Sequence, residues 1–238
     1  EKFATDESST EGLFEDYDHP NTRVTHLTVD HELPMTFWRA VGHSYTAFAK
    51  ESMIDELSQA AGMDEVAFRL QNTQNSPRLN NVIRVAGEHM AKMNPPAGHH
   101  LGFAAHHSFR TDVAEIAEVS VENGKIRVHR VTCVLDCGQA VNPDIVRSQM
   151  EGGVIYGLTA ALYGGLSLEG GAIKESNFHD YPMLRMDESP EIEVIIIDSG
   201  TKPTGVGEPG LPPIAPAVAN AVYKATGQRL RSLPLQLS

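Results

Sequence analysis

Residues 113–135 read VAEIAEVSVENGKIRVHRVTCVL. Two runs of strand character, 113–121 and 126–135, flank Glu122-Asn123-Gly124-Lys125. Asn and Gly both tolerate positive φ, so Asn-Gly between two alternating runs predicts a tight β-hairpin. The alternation slips between Arg130 and Val131, which predicts a β-bulge or a strand buried on both faces. Between residues 45 and 93 the apolar period is that of helices, and after the hairpin helices and strands mix. The expected fold class is therefore α+β, with mixed sheets flanked by helices.

Upstream, residues 45–61 repeat Ala49, Met53, Leu57 and Ala60/Ala61 on one face, with Phe48 and Ile54 beside it, and Gly62 follows as a natural helix stop. Asp64 is placed to cap a short second helix, DEVAFRLQN. Ser76-Pro77 opens a third, where Leu79, Val82, Ile83, Ala86 and Met90 share a face. Asn94-Pro95-Pro96-Ala97-Gly98 ends it and marks the expected subdomain boundary. Residues 23–30, RVTHLTVD, alternate like a strand. Residues 1–22 read as an acidic surface arm, 23–96 as a strand plus helical subdomain, and 97–238 as an α+β subdomain.

Downstream, Asn142-Pro143-Asp144 opens a long helix to about Leu162. Gly152, Gly153 and Gly157 each cost this helix roughly 1 kcal/mol of propensity, as expected where another backbone must come close. A small hairpin is expected around Glu169-Gly170-Gly171, and a buried strand at 191–198. Pro212-Pro213 opens a last helix ending at Gly227, followed by a final strand or extended tail.

The 238 residues carry 31 acids and 19 bases, a formal net charge of −12. That balance argues against a phosphate-backbone binder. No apolar run is long enough to span a bilayer. The first twenty residues lack the basic start and apolar core of a signal peptide, so any export address is expected to have been removed or to be carried by another chain. The compartment stays open between bacterial cytoplasm and periplasm. Cys133 and Cys137, four apart in a strand, lie about 13 Å apart, too far for a disulfide, and no second pair completes a metal site. Eleven histidines include His99-His100 and His106-His107. Neighbours on a strand point to opposite faces, so neither pair chelates one ion.

Three features carry chemistry, each beside a plainer alternative. TGVGEPGLPP (204–213) holds one carboxylate, Glu208, on a stiff Gly/Pro loop leading into a helix, which suits a positioned general base. The alternative is an exposed, idle Glu. Gln149 lies on the long helix one turn from Gly152 and Gly153, either aimed at a ligand or merely solvated. Phe37-Trp38-Arg39-Ala40-Val41-Gly42 sets the single Trp next to an Arg able to clamp an anion, or a surface Arg beside a core Trp.

Together these stretches resemble a known pattern. FWRAVGHSYTAFAKESMIDELSQAAGMDEVAFRL, VLDCGQAVNPDIVRSQMEGGVIYGLTAALYG, SNFHDYPMLRMDESPEIEV and GVGEPGLPPIAPAVANAVYKATGQRLRSLPL are similar, in order, to the isoquinoline 1-oxidoreductase β-subunit family. That family belongs to the xanthine oxidase class of molybdenum hydroxylases, which includes aldehyde oxidases. The resemblance implies the C-terminal portion of a molybdenum-cofactor-binding domain. By motif match, Glu208 resembles the catalytic glutamate, a general base in aldehyde oxidation or N-heterocycle hydroxylation with water-derived oxygen. Gln149, Trp38, Arg39 and Ala40 match cofactor-binding positions. The implied cofactor is molybdopterin, in bacterial members usually molybdopterin cytosine dinucleotide, with molybdenum bound by no protein side chain. The implied partners are the N-terminal portion of the large subunit and a separate iron–sulfur subunit carrying [2Fe-2S] clusters. The sequence departs from the family in lacking its G-Q-G and G-G-G-F-G cofactor loops. A non-catalytic structural or assembly domain retaining the fold is the alternative.

Overall fold

The computed structural model describes residues 6–14, 16–29 and 36–237. Helices α1 (His43–Ala60), α2 (Glu65–Gln71) and α3 (Pro77–Met90) precede strands β1 (His99–Ser108), β2 (Thr111–Glu122) and β3 (Lys125–Asp136). Helix α4 (Pro143–Tyr163), the short pair β4 (Leu168–Glu169) and β5 (Ala172–Ile173), strand β6 (Glu191–Ile197) and helix α5 (Ile214–Thr226) follow.

The caps act as local chemistry dictates. Asp64 Oδ1 accepts from the Val66 and Ala67 amides, both at 2.9 Å. Asn142 Oδ1 accepts from Asp144 and Ile145 at the start of α4. These side chains satisfy amides that a helix leaves unpaired at its N-terminus. Asn123 and Gly124 take φ of 51° and 75°, the primed-turn geometry of a two-residue hairpin.

Strands β1, β2 and β3 run antiparallel in sequence, and β6 joins β3 in parallel, giving a mixed sheet of order β1-β2-β3-β6. The α+β expectation is met. The irregularity lies one residue before the predicted slip: Arg130 opposes Glu118 and Val128 opposes Val119, so His129 is the extra residue. The core lies on both sheet faces. On one, Leu79, Val82, Ile83 and Ala86 of α3 pack on Phe103, Ala105, Ala114, Ile116 and Val134. On the other, α4 and α5 cover Ala104, Ala117, Val119 and Val131. Helix α3 and strands β1–β3 thus share one apolar cluster across the 94–98 segment.

Four expectations are corrected. Residues 23–29 form no strand, with Leu27 85% and Val29 71% exposed, because alternation without a partner strand has no surface to bury against; residue 30 lies outside the described residues. Met53 and Leu57 of α1 face outward, and the buried face instead carries His43, Thr46, Glu51, Asp55 and Ser58 beside Ala47, Phe48 and Ile54. Strand β6 is an edge strand with Glu191 and Glu193 exposed, not a buried one. The described part of the segment expected as a surface arm, 6–14 and 16–22, packs against α1, with Thr46 Oγ1 donating to Glu11 O and Lys50 Nζ to Gly12 O; residues 1–5 and 15 lie outside the described residues.

The polar face of α1 has a structural purpose. Strand β1 is the other sheet edge, and its unpaired backbone groups need partners. Glu51 Oε2 accepts from the Ala105 amide at 2.9 Å, Asn220 of α5 donates to Phe103 O at 3.0 Å, and Lys224 donates to Leu101 O at 2.7 Å. Buried Arg69 pairs with Glu51 at 2.9 Å, and the Tyr17 hydroxyl donates to the other Glu51 oxygen at 2.6 Å.

Under the same segment His43 Nδ1 and His106 Nε2 lie 2.9 Å apart, both buried. Burial, then Lys50, lowers His43 to about 4, with Asp16 opposing; burial, Lys50 and His43 hold His106 well below its usual value. Depressed histidines contribute stability that is complete above their unfolded pKa of 6.5 and is lost as pH falls through the folded values. The expected result is a loss of unfolding free energy between pH 6.5 and about 4, steeper than in His43→Phe. Urea titrations across that window check it, and equal slopes in both proteins contradict it.

Candidate active site

Two loops and one face of α4 meet around Arg39. The segment 37–42 enters α1 through Ala40 and Val41, at φ of 72° and 47°. Positive φ in an Ala and a β-branched Val costs about 1–3 kcal/mol each, and such backbone persists only where its surroundings hold it. Here the Val41 amide donates to Trp38 O at 2.9 Å, and the Ala40 amide donates to Glu208 Oε1 at 3.1 Å.

Arg39 joins the pieces. Its Nε donates to Gly207 O at 2.8 Å, and its Nη2 donates to the same carbonyl and, at 3.3 Å, to Gln149 Oε1. The Trp38 ring stacks on Tyr156 of α4, centroids 4.9 Å apart and planes 22° apart. The Arg39 guanidinium lies 5.9 Å from the same Tyr156 centroid. All five residues singled out from sequence (Trp38, Arg39, Ala40, Gln149 and Glu208) therefore converge on one place. Tyr156 escapes sequence reasoning, since an aromatic within an apolar helix carries no signal of its partner.

The glycines separate into two kinds. A Cβ at Gly153 would stand 3.0 Å from the Gly210 carbonyl carbon, and one at Gly157 would stand 2.5 Å from Ile214 Cγ2. These two admit the Glu208 loop and the start of α5, as expected. Gly152 differs from the expectation: among the described residues a Cβ there would have only Arg39 Nη1 near it, at 3.9 Å. Gly207 likewise has, among the described residues, only Gln149 Oε1, at 3.9 Å. Among these residues, open space thus lies over α4 between Arg39, Gln149 and the Glu208 loop. Among the described residues Arg39 Nη1 and Gln149 Nε2 make no hydrogen bond, so both offer donors there. This donor set beside a glycine-lined opening fits an anionic, acceptor-rich cofactor such as a molybdopterin. Among the described residues no group of three or more His, Cys, Asp or Glu is placed to hold a metal ion. Cys133 and Cys137 are buried free thiols.

Residues 39–190 match the molybdopterin cofactor-binding domain family, and residues 4–73 match a second family of the same description. The β-subunit of isoquinoline 1-oxidoreductase from Brevundimonas diminuta is 38% identical over 226 residues, 92% of this chain and 29% of that protein. A nicotinate dehydrogenase subunit from Pseudomonas putida is 33% identical over 240 residues, 92% of this chain and 20% of that protein. The chain thus spans less than a third of the length of these relatives. The aldehyde oxidoreductase of Desulfovibrio desulfuricans shares the fold at a TM-score of 0.69 and 16% identity, covering 83% of this chain and 40% of that one.

Proposed function

We propose, from the premise that this chain belongs to the molybdopterin cofactor-binding domain family of the xanthine oxidase type, that it forms one wall of a molybdenum hydroxylase active site. The assembled enzyme oxidises an aldehyde or hydroxylates an N-heterocycle with water-derived oxygen. The single observation carrying this reading is the Arg39 bridge, which gathers Gly207 O and Gln149 beside a carboxylate held by the Ala40 amide.

The molybdenum cofactor, when bound, supplies the two-electron oxidation. The chain's own residues bind and move the proton. Arg39 Nη1 and Gln149 Nε2 would hold the cofactor by donating to its acceptor atoms, and bare Gly152 and Gly207 would allow its close approach. Glu208 is the general base. Its Oε1 is fixed by the Ala40 N–H, which leaves Oε2 to take up a proton. A purely structural domain has no use for a mid-helix glycine facing open space, which favours the enzyme reading over the non-catalytic one.

The partners follow from what this wall lacks. Tyr156 and Ile145 are exposed on the same α4 face as Gln149 and Gly152, and Phe37 is exposed beside them. We place against them the N-terminal portion of the large subunit with the remaining cofactor loops. We assign the [2Fe-2S] relay to a separate chain, because such a cluster takes four cysteine ligands and the two cysteines here are buried free thiols. The cofactor form expected is molybdopterin cytosine dinucleotide.

Gly152→Leu tests the opening. Leu restores helix propensity, worth roughly 0.5–1 kcal/mol, and among the described residues its Cβ meets no atom outside the helix closer than Arg39 Nη1. The folded chain is expected to keep or gain stability while the purified complex retains about tenfold less molybdenum, some 1.4 kcal/mol of affinity. Full molybdenum content in that variant contradicts the placement.

A further inference from the structure

The Glu208 loop runs from the end of β6 to α5 without regular structure, yet a general base must be held to within about half an ångström. Arg39 secures it at Gly207 from the side that faces the opening. A second anchor lies on the sheet side. Thr111, the first residue of β2, is fully buried. Its Oγ1 lies 2.6 Å from Gly205 O and 2.7 Å from Thr204 Oγ1. A carbonyl only accepts, so Thr111 donates to Gly205 O and Thr204 donates to Thr111.

The strand end that carries Thr111 is itself strained. Phe109 and Arg110 form the β1–β2 turn at φ of 52° and 63°, with no glycine at either position. Gly205 N donates to Phe109 O at 3.3 Å, and a Cβ on Gly205 would stand 3.3 Å from Phe109 Cβ. The Phe109 ring lies 5.3 Å from that of His43, directly after the Arg39 loop. One turn thus touches the glutamate loop through its backbone and the start of α1 through its ring.

We propose that Thr111 is a positioning residue for Glu208, its buried hydroxyl fixing the glutamate loop at Gly205 independently of Arg39. The proposal rests on Glu208 acting as base. Thr111 acts at Gly205, three residues before the glutamate, so its effect passes through the loop backbone. Misplacement of a catalytic group by about 1 Å costs up to ~10²-fold.

The test is Thr111→Val, nearly the same shape without the hydroxyl, in the full assembled enzyme, with Thr111→Ser and Glu208→Gln alongside. Thr111→Val is expected to lower kcat about 10- to 100-fold with KM little changed and molybdenum retained. Hydrogen exchange of the 202–208 peptide is expected to quicken, and Thr111→Ser to restore both. Wild-type kcat and unchanged exchange in Thr111→Val, with Glu208→Gln inactive, overturn the anchor and leave the base in place. Wild-type kcat in Glu208→Gln as well overturns the base itself. Should Thr111→Val fail to assemble, Thr111→Ala, which also removes the hydroxyl that donates to Gly205 O, is expected to quicken the same exchange, and unchanged exchange there overturns the proposal.

Discussion

Glu208→Gln, in the assembled enzyme, is expected to keep its molybdenum and lose turnover by at least ~10²-fold. The two side chains have one shape. The Gln oxygen still accepts from the Ala40 amide that holds Glu208 Oε1 at 3.1 Å, so loop and cofactor stay in place. What is lost is the ability of Oε2 to take a proton, which is the transition-state contribution of a general base. The loss therefore falls on kcat and on kcat/KM together rather than on KM. Steady-state kinetics beside metal analysis separates the terms. Turnover within about twofold of wild type at full molybdenum content would sink the assignment of Glu208.

The largest stability effect is expected at a residue far from that chemistry. Arg69→Ala removes a fully buried guanidinium that donates to Glu51 Oε2 at 2.9 Å, to Glu51 O at 3.2 Å and to Glu65 O at 3.0 Å, and that lies 5.4 Å from the Phe103 ring. Burial opposes the charge on Arg69, but Glu51, Tyr17 and Asp55 together outweigh it, so its pKa is raised. Without Arg69, the Glu51 carboxylate stays buried with, among the described residues, only the Tyr17 hydroxyl and the Ala105 amide as donors. Breaking a buried pair in this way costs about 3–5 kcal/mol. For a chain of this size that is a fall of roughly 6–20 °C in Tm. Chemical denaturation of the variant checks it, and a loss below about 1 kcal/mol contradicts it. The damage is to the fold's edge: Glu51 also supplies the partner for β1 at Ala105.

How far each element is legible follows from the range of the forces that fix it. The ends of α2 and α4 are readable because Asp64 and Asn142 bond to amides two and three residues on. The β2–β3 hairpin is readable because Asn123-Gly124 carries its own turn. Strand β1 is not, since HHLGFAAHHS shows no clean alternation and draws its place from β2 and from α5 lying against Gly102. Residues 23–29 show the reverse case, with alternation present but no partner. Helix α1 is legible in its extent but not in its rotation, because its buried face is polar and satisfied by distant Tyr17, Arg69 and Ala105.

The site divides in the same manner. The stiffness of the Glu208 loop is a local property of its glycines and prolines. The meeting of Arg39 with Gln149 spans 110 residues, and that of Ala40 with Glu208 spans 168. No periodicity reports contacts of that range, and only the family resemblance joins those motifs before the structure does. Gly152 stands out in the sequence for its helix cost, but only the geometry separates it from Gly153 and Gly157. Thr111 leaves no trace in the sequence, because its value lies in one hydroxyl facing a loop that arrives 94 residues later.

The most direct measurement is the molybdenum and pterin content of this chain isolated in its native assembly with all co-expressed partners. Stoichiometric molybdenum and pterin is the predicted result. An intact assembly containing neither would contradict the account at its centre.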